Sequence, residues 1–264
     1  WAASAVAHGR RVATLATADA AQGLQSKALP AEAVLTVLKT SVRQNPGVYG
    51  EYIGLANGGF LQAIGVRRDP VVYQALEAPA QTEVAERLIE ADASGRRTER
   101  WRFWDGAERL LAERSGPASY SPVGRPWYDQ ALTAPGAHLT APYVFASSRR
   151  EGVTISAAMP RGDGVHGVDI SLHTLPRTLA SYQITDNAFI GVIDDQRRLL
   201  AAHGKGSSGT QADVGQLQPM ATSVLPKVAE VAARLDSLTP GVPHFLDLAG
   251  ERHLLVTRAL DVAG

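Results

Sequence analysis

Turn signals recur along this chain, each flanked by apolar runs too short to make a helix. Asn57-Gly58-Gly59 separates Val48, Tyr49, Tyr52 and Ile53 from Phe60, Leu61, Ile64 and Val66. Asp105-Gly106 follows the alternating Arg100-Trp101-Arg102-Phe103-Trp104 and leads into Leu110-Leu111. Asp194-Asp195 lies between Phe189–Ile193 and Leu199-Leu200, and a turn around Gly250 lies between Phe245-Leu246 and Leu254-Leu255-Val256. Asn, Asp and Gly tolerate the backbone of tight hairpins. A chain punctuated this way is committed to antiparallel sheets, because parallel pairing needs long crossovers.

Helical segments separate these hairpins. Ala2 to Leu24 is rich in Ala, lacks Pro and has Gly23 as a stop, which predicts one long helix. Its larger apolar residues, Val6, Val12 and Leu15, are too few for burial on both faces, so it lies along a domain or pairs with a copy of itself. A second helix follows Pro30, with Val34, Leu35, Val37, Leu38 and Val42 at helical spacing, and Asn45-Pro46 ends it. Further helices are expected at Pro126–Leu132, Leu172–Tyr182 and, despite Pro219 and Pro226, Leu217–Leu235. Thr82 to Glu90 suits helix or strand; strand is preferred because it leads into a hairpin. Short strands are expected at Tyr143–Phe145, Val153–Ile155 and Val165–Ile170. Helix and hairpins thus occur in two successive sets, divided near Ser181–Asn187. The expected class is α+β: a long N-terminal stalk helix (1–30) and two modules (31–182 and 183–264), each an antiparallel sheet with helices.

Composition narrows function. The chain has 264 residues, with 26 Lys and Arg against 26 Asp and Glu, so it lacks the basic excess of a nucleic-acid binder. There is no cysteine, which removes disulfides, thiolate metal sites and a cysteine nucleophile. No apolar run is long enough to span a membrane. The chain begins at Trp1, so a piece of a longer protein is expected, with signal or membrane segments outside it. The seven histidines show no HExxH or HxH spacing, and no carboxylates complete a metal set. Gly204-Lys205-Gly206-Ser207-Ser208-Gly209 does not match the phosphate-binding GxxxxGK[ST] loop, and there is no GxSxG elbow. No enzyme, cofactor or metal is expected.

The segment Tyr120-Ser121-Pro122-Val123-Gly124-Arg125-Pro126-Trp127-Tyr128 concentrates two tyrosines, a tryptophan and an arginine, in a chain only 6% aromatic. Arg125 offers a planar fork suited to a carboxylate. Trp127 and Tyr128 offer aromatic faces to an ammonium group. The alternative is a packed loop in which Arg125 pairs with a structural carboxylate and the rings are core. Tyr143 lies on an expected strand, and Asp169 stands within Gly167-Val168-Asp169-Ile170-Ser171-Leu172. An aspartate inside an apolar strand needs a partner, either a ligand ammonium or a backbone donor at the next helix start.

The order Tyr-x4-Arg-x-Trp-Tyr, then the Pro-Tyr-Val-Phe-Ala-Ser strand, then Gly-Val-Asp-Ile-Ser-Leu resembles the double Cache sensor domains. The sequence match is concentrated in residues 120–172, and the layout matches over nearly the whole chain. The resemblance implies two PAS-like modules, an extracytoplasmic (periplasmic) location between flanking membrane spans, and attachment to a chemoreceptor, histidine kinase or nucleotide cyclase. It also implies a ligand set. Tyr120, Arg125 and Trp127 would hold the carboxylate of an amino acid, and Tyr128, Tyr143 and Asp169 its ammonium. Some relatives carry an acidic residue where Phe145 stands here, which makes this pocket more apolar.

The expected function is therefore an extracytoplasmic sensor domain whose partner is a small-molecule ligand, an amino acid foremost, with a possible homodimer through the first helix. Two rivals stand beside it: a sensor for another small carboxylate or amine, and a ligand-free dimerising ectodomain.

Overall fold

The computed structural model describes residues 30–66, 69–92, 94–159, 163–204, 219–223 and 225–259. The helix expected over Ala2–Leu24 lies outside them. By its contacts the chain forms two compact units that divide between Ser171 and Leu172.

The first unit is built on a nine-stranded antiparallel sheet. Its strands are β1 (Gly50–Leu55), β2 (Phe60–Gly65), β3 (Val84–Ala91), β4 (Arg97–Trp104), β5 (Leu110–Pro117), β6 (His138–Leu139), β7 (Tyr143–Val144), β8 (Glu151–Ala158) and β9 (Gly164–Ser171). The first five pair in chain order. The chain then returns, so that β9 pairs with β1, β8 with β9, and the short β6 and β7 with β8. The first turn signal closes β1–β2 with Gly58 at φ 84°. The second closes β4–β5, where Asp105 Oδ1 accepts from the backbone N–H groups of Ala107 and Arg109, both at 2.9 Å. The ambiguous stretch after Thr82 is strand.

Strand register sorts the side chains onto two faces. Glu51, Ala63, Leu61, Leu88, His166 and Val168 share the back face. Helix α1 (Ala31–Gln44) covers it with Leu35, Leu38 and Val42, all at most 1% exposed. Each such leucine contributes roughly 1.5–3 kcal/mol by leaving water. Charges seat the same helix: Glu86, buried, meets Lys39 at 3.4 Å and Arg102 at 3.0 Å.

The front face carries Tyr52, Phe60, Gln62, Ile64, Arg87, Trp101, Thr154 and Asp169. Two short helices lie over it. Helix α2 (Pro70–Leu76) was not foreseen, although Asp69-Pro70 is its start signal. Asp69 caps it by accepting from the N–H groups of Val71 and Val72 at 3.0 and 3.4 Å. Helix α3 (Pro126–Thr133) begins at its proline and turns Trp127, Tyr128 and Ala131 inward against Tyr52, Phe60 and Ile89.

The second unit contains α4 (Leu175–Ala180), the hairpin β10 (Phe189–Ile193) and β11 (Leu199–Gly204), α5 (Pro226–Ala232), and the hairpin β12 (His244–Leu248) and β13 (Glu251–Leu255). Helix α4 is shorter than Leu172–Tyr182 and packs on β11, so contacts group it with the second unit, whereas the sequence reading kept it in the first module. The single helix expected over Leu217–Leu235 is instead a 3-10 turn at Met220–Thr222 followed by α5. Pro226 explains the break. It lacks the N–H that a helix interior requires, so it starts a helix instead of continuing one. The last hairpin turns on Ala249 and Gly250, both with positive φ, as a type I′ turn demands. Among the described residues, no helix is long and apolar enough to cross a membrane.

Candidate ligand-binding site

A small cleft, partly open to solvent, lies over the front face of the first sheet. Tyr120, Arg125, Trp127, Tyr143 and Asp169 all line it. Tyr128 does not. It is 2% exposed and packs edge-on against Trp127, with ring centroids 5.5 Å apart, as part of the core under α3. The reason is helical geometry: consecutive residues point about 100° apart, so Trp127 and Tyr128 cannot both face the cleft.

The floor belongs to β1, β8 and β9. Asp169, only 4% exposed, accepts hydrogen bonds at Oδ1 from the hydroxyls of Tyr52 (2.7 Å) and Thr154 (2.6 Å). The carboxylate therefore has hydroxyl partners, and neither of the two expected ones: no backbone donor at a helix start, and no cation among the described residues. Burial pushes its pKa up to about 7, against the opposing pull of those two hydroxyls. The Tyr143 hydroxyl lies 2.6 Å from Thr154 Oγ1. Because Thr154 spends its one proton on Asp169, Tyr143 must donate to Thr154. Its remaining lone pairs are then acceptors. A carboxylate with an acceptor phenol beside it is an environment for a positively charged donor.

Two glycines make this floor possible. A Cβ on Gly167 would run into the Tyr52 ring, and one on Gly152 into the Phe145 ring. Phe145 stacks on Tyr49 at 5.6 Å and meets Tyr143 edge-on at 5.3 Å, so it gives the cleft the apolar wall its sequence position implied.

The rim belongs to the segment before α3. Arg125 precedes Pro126 in an extended conformation and is exposed, not buried as a pocket arginine would be. Its guanidinium carbon sits 4.9 Å from the centre of the Tyr120 ring, and its Nε donates to the Ser121 carbonyl at 3.3 Å. It has no carboxylate partner among the described residues, so the structural ion pair considered from sequence is not made. Trp127 packs edge-on to Tyr52 at 4.8 Å, linking rim to floor, and Ser156 Oγ donates to the Trp127 carbonyl at 2.7 Å. Burial raises the Tyr120 hydroxyl to about 12, so it stays a neutral donor.

Two buried or half-buried arginines near the cleft are paired. Arg87, which stacks 4.6 Å from the Tyr120 ring, is bound to Glu99, and Arg150 donates to Asp69 at 2.7 Å. Among the described residues no group of three His, Cys, Asp or Glu is placed to hold a metal ion. Tyr52 and Thr154, essential to the floor, were not singled out from sequence. Their role comes from the register Tyr52↔Gly167 and Thr154↔Asp169.

No family model matches the chain. A domain of the Campylobacter jejuni chemoreceptor Tlp3, in complex with L-valine, superposes with a TM-score of 0.52 at 17% identity, covering 96% of this chain and 78% of that one. The fold is that of a chemoreceptor ligand-binding domain. At the level of fold, the double Cache resemblance drawn from the sequence holds. Among curated proteins, adenylate cyclase 1 of Rhizobium meliloti is 28% identical over 193 residues, 71% of this chain and 29% of its own length. The methyl-accepting chemotaxis protein PscA of Pseudomonas syringae pv. tomato is 29% identical over 124 residues, 46% of this chain and 19% of its own length. The chain thus spans less than a third of the curated relatives it matches.

Proposed function

We propose that this chain is the extracytoplasmic sensor domain of a membrane-anchored signalling protein, and that its first unit binds the zwitterionic head of an amino acid. Arg125, with Tyr120 and Trp127, takes the carboxylate; Asp169 and Tyr143 take the ammonium. One observation carries the reading. Among the described residues, a single cleft presents an arginine with no acidic partner and a buried aspartate with no cationic one, while Arg87 and Arg150 beside it are paired. A plain dicarboxylate would leave Asp169 without a counter-charge. The domain is read as a recognition module with no chemistry of its own, supported by the ligand-binding role of the Tlp3 domain of the same fold. The identity of the output domain and the division into stalk, distal and proximal modules belong to the same proposal.

Calorimetry with a panel of L-amino acids tests it. Arg125→Ala is expected to weaken binding about ten- to a hundred-fold, the worth of a charge-assisted hydrogen bond at a partly open site. Asp169→Asn is expected to weaken amino-acid binding and to spare the deaminated analogue. Equal losses for both ligands would make Asp169 structural. Binding of no amino acid at all would favour the ligand-free ectodomain.

A further inference from the structure

Resting on the amino-acid reading above, we propose that the cleft selects a short, uncharged, hydrogen-bonding side chain, as in serine or threonine, over an aliphatic one of the same shape. Tyr49 and Ser148 make the selection.

Both residues line the cleft, and both are buried, at 5% and 1% exposure. Tyr49 stands just before β1, and Ser148 lies in the turn between β7 and β8. Their hydroxyls interact with each other, and neither has a hydrogen-bond partner outside the pair among the described residues. The contrast with the adjoining floor is sharp, because Tyr52, Tyr143 and Thr154 all have theirs. Buried hydroxyls normally use both proton and lone pairs, and a pair in a cavity with no partner beyond itself marks where a further group belongs.

Position says which part of the ligand would reach them. The Tyr49 hydroxyl feels the charge of Asp169, and both residues line the one cleft, so this corner adjoins the proposed ammonium site. An amino acid's side chain leaves the carbon that bears the ammonium, so it is the part of the ligand that this corner would meet. Ile64 and Phe145 also line the cleft and give the stem apolar cover. The half-buried arginines nearby are already paired, Arg150 with Asp69 and Arg87 with Glu99, so neither is free to serve an acidic side chain as counter-ion. What remains are two neutral hydroxyls, each able to donate and accept.

The test is calorimetry with two pairs of probes that differ by one hydroxyl: L-threonine against L-valine, as near isosteres, and L-serine against L-alanine. The wild-type domain is expected to bind the hydroxyl member about tenfold or more tightly in each pair. Tyr49→Phe, which keeps the ring on Phe145, and Ser148→Ala are each expected to shrink that ratio while leaving L-alanine affinity unchanged. A wild-type ratio near one, as a water filling the corner would give, overturns the inference, and so does tighter binding of valine. A ratio unchanged in both variants assigns the discrimination elsewhere and also overturns it. Binding of all four probes without a hydroxyl preference sinks only this inference. Failure of every amino acid to bind sinks the amino-acid reading with it.

Discussion

At Asp169 the fold works against the residue's own chemistry. Burial holds its pKa near 7, above the ordinary carboxylate range, so the folded state keeps the proton more tightly than the unfolded chain does. The stability tied to this group is complete below the unfolded pKa and is lost as pH rises through about 7. The unliganded domain is therefore expected to melt at lower temperature at about pH 8 than at about pH 5, with Asp169 contributing to the difference. Asp169→Asn, which still accepts from Tyr52 and Thr154, is expected to remove that contribution and to raise the melting temperature at about pH 8. An unchanged pH dependence in the variant would show that the carboxylate is solvated in the folded protein. Binding runs the other way, since an ammonium needs the ionised form. Affinity for an amino acid is expected to fall about tenfold per pH unit well below pH 7, with a proton released on binding. Calorimetry in buffers of different ionisation enthalpy reads that proton directly.

Among the elements, α1 and the cleft occupy opposite faces of one sheet, and their energetics separate accordingly. Leu38 is fully buried against the back face, so Leu38→Ala is expected to cost about 2–5 kcal/mol in denaturant unfolding and to leave ligand affinity unchanged. Gly167→Ala is expected to do the reverse. It displaces the Tyr52 ring from the floor and weakens binding beyond its effect on stability. Equal affinity in the glycine variant would mean that the Tyr52–Asp169 bond does not shape the site. The sequence made the hairpins legible because turn chemistry is local: Asn57-Gly58-Gly59 and Asp105-Gly106 close turns wherever the strands end up. It left unreadable the pairing of β1 with β9, which joins Gly50 to Asp169 across more than a hundred residues. That pairing is what makes Tyr52 a floor residue, so the sequence picked out the cleft residues Tyr120, Arg125, Trp127, Tyr143 and Asp169 and passed over Tyr49, Tyr52 and the Thr154 that bonds Asp169. Tyr128 erred in the other direction, because its place in an aromatic cluster did not reveal which way α3 would turn it.

For the molecule as a whole, all the proposed contacts fall in the first unit. Hydrogen exchange with a saturating amino acid is expected to slow at 120–126 and 143–150 and to leave the hairpins at 189–204 and 244–255 at their unliganded rates. Protection confined to the second unit would move recognition out of the cleft altogether. The α+β class and the antiparallel sheets followed from the spacing of turns. The exact division was harder to place because α4 is short and its apolar residues fit either neighbour. Only its packing on β11 assigns it to the second unit.

Arg125 stands in solvent at the mouth of the cleft, whereas Asp169 is sealed at its base. For a ligand bound as proposed, the two ends then govern different halves of the kinetics. The exposed cation attracts a carboxylate from a distance, so it sets how fast ligands arrive, and added salt blunts that effect. The buried anion is reached last and surrendered first, so it sets how long they stay.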